Sequence, residues 1–130
     1  MLRISSLLIS TAFLAAVLLI APSKGWAAEL PEGVTVQTVA EYSVDVSGLE
    51  KVVMRKIILE PGASWEVTID DQVFCNVTQG SILVTDHQAG TSTLYTPGSR
   101  WAPAKGNTVT ISNPGDETHV HWVYALIEKK

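Results

Sequence analysis

Two histidines one residue apart, His119 and His121 in "ETHVHWVY", are the residues of this chain best spaced for chemistry. On a strand a spacing of two places both imidazoles on one face, together with Glu117. Two imidazoles and a carboxylate supply much of the coordination shell of a divalent transition metal such as Zn²⁺ or Cu²⁺. The competing reading makes them polar residues on the solvent side of a terminal strand, with Val120, Trp122 and Tyr124 facing inward. The third histidine, His87 in "DHQAG", falls in a hairpin loop, where exposure is expected.

Other titratable groups point to less. Cys75 is the sole cysteine, so no intramolecular disulfide forms. It alternates with Val73 and Val77, as a small buried hydrophobe does, and no neighbouring His or Lys would hold a thiolate. Asp70 and Asp71 are adjacent and read as a turn rather than a calcium loop. Glu66 lies in "SWEVTID", where Trp65, Val67 and Ile69 form the apolar set; alternation buries those three and turns Glu66 and Thr68 outward.

These residues must be positioned by strands. Turn signals ("PG" at 61 and 97, "QG" at 79, "AG" at 89, "KGN" at 105, "NPGD" at 113) recur about every ten residues, the rhythm of a sandwich or barrel. Between them lie β-prone segments at 34–46, 52–60, 65–69, 73–78, 82–86, 92–96, 108–112 and 118–128, rich in Val, Ile, Thr, Tyr and Trp. No window after residue 30 has a helical period.

The chain opens with Arg3, an apolar tract from Leu7 to Ala21, and small residues at Gly25, Ala27 and Ala28. This reads as a signal peptide over residues 1–27, with a periplasmic or secreted product. The tract is short for a membrane span and broken by Ser10 and Thr11, so no stable span is expected in the mature form. The whole chain has 130 residues, nine Lys and Arg, thirteen Asp and Glu, and a formal charge of −4. Cleavage removes Arg3 and Lys24 and no acid, so seven basic residues face thirteen acidic ones, a formal charge of −6. With its cations scattered, such a surface excludes nucleic acid as a partner.

The series "LEPGASWEV", "VFCNVTQGSILV" and "YTPGSRWAPAKGNTVTISNPGDE" resembles the barrel of the cupin superfamily, especially its small secreted members. Pro61-Gly62, Gly80, Pro97-Gly98, Pro103, Gly106 and Asn113 keep that frame. The resemblance implies an all-β fold: a single cupin-like jelly-roll β-barrel over residues 50–130, preceded by an N-terminal strand and arm at 28–49. It also implies a metal site, but the family's ligand places fall on Glu66, Thr68, Val73 and Val109. One carboxylate beside a threonine and two valines does not replace the hydration of a metal ion. In the family's register Glu66 would point into the barrel, opposite to the alternation above.

The ligand surface this leaves is aromatic. Trp65, Trp101 and Tyr95, with Glu66, are the expected binding residues, and Trp122 and Tyr124 add to the aromatic inventory. The leading expectation is an exported, non-catalytic cupin-like domain without a metal cofactor, binding a small molecule or a protein partner, with a homodimer among its arrangements. The first alternative is an enzyme holding one divalent transition metal with His119, His121 and the Glu117 carboxylate. The second is a structural subunit of an envelope or secreted assembly.

Overall fold

The computed structural model describes residues 29–130. The signal peptide expected at 1–27 lies outside the described residues. Nine strands follow one another among the described residues: β1 (Val34–Ser43), β2 (Leu49–Leu59), β3 (Ser64–Thr68), β4 (Gln72–Gln79), β5 (Ile82–Asp86), β6 (Thr91–Tyr95), β7 (Arg100–Trp101), β8 (Thr108–Ser112) and β9 (His119–Glu128). No helix occurs among the described residues, so none is long and apolar enough to cross a membrane. All pairing is antiparallel. One sheet has the order β1-β2-β9-β4-β7 and the other β3-β8-β5-β6. The chain is thus an all-β jelly roll of two packed sheets, as its turn rhythm and strand composition imply.

Strand bounds follow the sequence segments closely, with one addition. The two-residue β7 has no β-prone run to announce it; it is held against β4 by Cys75 opposite Trp101 and Asn76 opposite Arg100. The turn before it does the positioning. Ser99 N–H donates to Thr96 O (2.9 Å), Gly98 has φ 93°, and Pro97 precedes it, the features of a type II turn. The Gly98 N–H then reaches Val77 O and Val77 N–H reaches Ser99 O, both at 2.9 Å, extending the pairing beside β4.

The core lies between the sheets. Ile57, Leu59, Val77, Val123 and Ala125 from the first sheet meet Trp65, Ile82, Val84, Val109 and Ile111 from the second. Each such Val, Leu or Ile side chain contributes roughly 1.5–3 kcal/mol by leaving water. Asn113 ties the end of the barrel together. Its buried Nδ2 donates to Leu59 O and Glu117 O, both at 2.9 Å, and its Oδ1 accepts from Gly115 N–H at 3.0 Å. The asparagine of the cupin frame therefore acts as a three-way backbone clamp.

Candidate functional site

The first surprise is the orientation of β9. His119 and His121 are buried, at 0% and 3% exposure, on the inner face with Val123 and Ala125, whereas Trp122 and Tyr124 lie on the outer face, half-buried. The reading that put both histidines toward solvent, with Val120, Trp122 and Tyr124 inward, is corrected. Its premise fails because β9 is apolar on both faces, so alternation has no polar side to assign.

Inside, the imidazoles bond to one another, His119 Nε2 to His121 Nδ1 at 2.8 Å. His119 Nδ1 makes no hydrogen bond of good geometry. Burial pushes His119 down from 6.5 to about 4, against an opposing effect from the Gly80 and Gln79 backbone. Burial and then repulsion from His119 bring His121 to about 3. Both are therefore neutral at physiological pH. Gly80 makes this packing possible: its φ is 66°, and a Cβ there would lie 2.7 Å from Thr118 O and 3.0 Å from His119 Cα.

Glu117 does not join the pair. It is exposed in the turn before β9, and its carbonyl, not its carboxylate, is engaged, by Asn113. Glu66 and Thr68 are exposed on the outer face of β3, as alternation predicts, while Val73 and Val109 fill the interior at 2% and 3% exposure. Glu66 Oε2 lies 3.6 Å from His87 Nδ1, whose Nε2 is 2.8 Å from Thr110 Oγ1. The residues present do not fit the metal that the fold family implies. Two of the ligand places face away, two carry valine, and no group of three His, Cys, Asp or Glu fit to hold a metal occurs among the described residues.

The barrel interior is also full. A void of about 30 Å³ lies among Trp65, Val73, Cys75, Trp101, Val109 and His121, which is room for about one water. Trp65 is core, buried to 7% exposure. Trp101 stacks on Tyr95, with centroids 4.5 Å apart and planes 10° apart, and leans on His121 at 5.2 Å. These aromatic residues pack the barrel rather than line an open mouth. Cys75 is buried beside them, and burial pushes its thiol up to about 12, so no thiolate forms near neutrality.

Open space lies on the other side of the same strands. A cleft of about 470 Å³ is lined by Phe74, Cys75 and Asn76 of β4, Arg100 and Trp101 of β7 with Ala102, and Tyr124 of β9. Pairing explains how these residues converge. Phe74 is opposite Tyr124, and Asn76 is flanked by Trp122 on one side and Arg100 on the other. Phe74 is 49% exposed although it is large and apolar. Of the residues around the cleft, the sequence reading named Trp101 and Tyr124 as aromatic candidates and missed Phe74, Asn76 and Arg100. The signal for Phe74 was present: once Val73, Cys75 and Val77 are inside, the residue between them must be outside.

No protein-family model matches the chain, and no curated protein does. Solved structures do. A cupin domain of a transcriptional regulator from Enterobacter cloacae matches with a TM-score of 0.62 at 16% identity, over 76% of this chain and 100% of that one. The polyketide cyclase RemF from Streptomyces resistomycificus gives 0.63 at 16%, over 82% and 74%. A sugar phosphate isomerase of the cupin superfamily from Silicibacter pomeroyi gives 0.57 at 23%, over 73% and 60%. The fold is the cupin jelly roll. Among its structural neighbours are proteins with different activities and one of unknown function, from Rhizobium leguminosarum, so function has to be argued from this chain's own residues.

Proposed function

We propose that this chain is an exported, non-catalytic binding module of cupin fold, which takes a small molecule on the outer face of its five-stranded sheet. The observation that carries the reading is the contrast in space and chemistry between the two sides of β4. The inner side leaves about 30 Å³ and the outer side about 470 Å³, walled by Phe74 and Tyr124. Ligand sites combine apolar walls with a few convergent polar groups, and Asn76 and Arg100 provide those here. Catalysis is left out of the proposal because the His, Cys and Glu side chains weighed as catalytic or metal-binding candidates are either neutral and buried (His119, His121, Cys75) or away from the cleft (Glu66, His87, Glu117). Export rests on the leader-like residues 1–27.

Thermal unfolding of the purified protein with 2-naphthamide, a neutral bicyclic aromatic, tests the binding half. A concentration-dependent rise in Tm that Phe74→Ala removes is expected. No shift at millimolar ligand, or a shift indifferent to Phe74, would reject the reading. N-terminal sequencing from the producing cell tests export: a start at Ala28 or Glu29 is expected, and a product beginning at Met1 contradicts it.

A further inference from the structure

The polar groups at the cleft say which class of molecule it takes. Across the outer face of the sheet runs one cross-strand row, Lys56–Trp122–Asn76–Arg100, fixed by the pairing of β2, β9, β4 and β7. The next rows are Met54–Tyr124–Phe74 and Val52–Leu126–Gln72. No acidic side chain occurs in any of the three. Lys56 Nζ stands 6.0 Å from the Trp122 ring centroid, so one cation of the row is engaged with an indole. Arg100 at the other end has no carboxylate or other side-chain partner among the described residues, although acids outnumber bases in the chain. The Asn76 side chain next to it likewise has no protein hydrogen-bond partner among those residues, and both border the aromatic cleft.

We infer that the cleft binds a planar aromatic carboxylate, its rings against Phe74 and Tyr124 and its anionic group on the Arg100 guanidinium and Asn76 amide. This inference rests on the cleft being the ligand site proposed above. Directly opposed residues on antiparallel strands hold their Cβ atoms about 4.5–5.5 Å apart, so Asn76 and Arg100 can reach one carboxylate together. A guanidinium presents paired N–H donors matching the two carboxylate oxygens, and the amide NH₂ adds a third donor. Phe74 and Tyr124 are opposed in the same way one row below, which sets an aromatic wall beside that polar end. A neutral aromatic would gain nothing from the charge of the solvent-exposed Arg100. An aliphatic anion would leave Phe74 exposed.

Isothermal titration of the full chain with 2-naphthoate and with 2-naphthamide separates this inference from the reading it depends on. Naphthoate is expected to bind at least about tenfold more tightly than naphthamide at low salt, the size of one charge-assisted contact. Arg100→Gln should abolish that preference, and added NaCl should narrow it in the wild type. Equal affinities, or a preference that survives Arg100→Gln, would overturn the carboxylate assignment and leave the cleft as a site for neutral aromatics. Failure of both ligands to bind would overturn the site itself. A dimer in sedimentation that binds neither ligand would assign this face to a second copy of the chain, against the inference.

Discussion

The outer faces of the two sheets carry opposite chemistry although one core lies behind both. On the four-stranded sheet the outer rows are Ser64–Ser112–Leu83–Leu94, Glu66–Thr110–Thr85–Ser92 and Thr68–Thr108, the last two cross-linked by hydroxyl contacts at 3.0 Å between Thr68 and Thr108 and between Thr85 and Ser92. On the five-stranded sheet the outer rows include Val52–Leu126–Gln72, Met54–Tyr124–Phe74 and Lys56–Trp122–Asn76–Arg100. Apart from Leu83 and the exposed Leu94 at one end, the first face is rich in hydroxyls and meets water. The second holds aromatic surface and a guanidinium without a partner. A fold that needs only its inner faces apolar leaves the outer ones free to diverge, and function is read from that divergence.

Substitutions sharpen the comparison, beginning with the layer both faces share. Ile57, fully buried behind the apolar face, should cost about 2–5 kcal/mol when changed to Ala, measured by denaturant unfolding. A cost below about 1 kcal/mol would mean that the sheets are not packed as described.

Acid should act next, through the two histidines on the inner side of β9. Both folded pKa values, about 4 and about 3, lie below the ordinary 6.5, so the unfolded chain binds protons that the folded one refuses. Their contribution is complete above about pH 6.5 and is lost as pH falls toward 4 and 3, with a slope of up to about 1.4 kcal/mol per pH unit for each imidazole. His121→Gln should flatten this dependence in unfolding curves between pH 7 and 4.5. A slope unchanged by that substitution would place the titration elsewhere.

The two outer faces should then separate cleanly. Phe74→Ala should change stability by about 1 kcal/mol or less while removing most affinity for an aromatic ligand, since its ring is half exposed in the free protein. Glu66→Gln should change neither stability, beyond about 0.5 kcal/mol, nor binding, because that carboxylate is solvated and its contact with His87 is long. If Glu66→Gln were the variant that lost ligand, the faces would have been assigned the wrong way round.

Legibility of the fold followed the same division. Strands β3 and β8 were readable in register because Trp65, Val67 and Ile69 alternate with Glu66 and Thr68, and Val109 and Ile111 with threonines. The turns at Pro61-Gly62 and Pro97-Gly98 were readable because type II geometry demands those residues. Strand β9 was readable in extent but not in facing. In "HVHWVYALIE" both faces are apolar apart from the terminal Glu128, and the two histidines are tolerated inside because they bond one another and stay neutral. The cleft was missed for a related reason: Arg100 belongs to a two-residue strand set by a turn and by β4, and nothing in its own segment shows that it faces Asn76.

The central claim is that ligand binds outside the barrel, on the five-stranded sheet. Amide chemical-shift mapping of the ¹⁵N-labelled protein during titration with 2-naphthoate tests it most directly. The account predicts perturbations centred on Phe74, Asn76, Arg100 and Tyr124, with Glu66, Thr85 and Thr110 on the opposite face unmoved. Perturbations centred instead on Trp65, Val109 and Ile111 would place the ligand inside the barrel and contradict it.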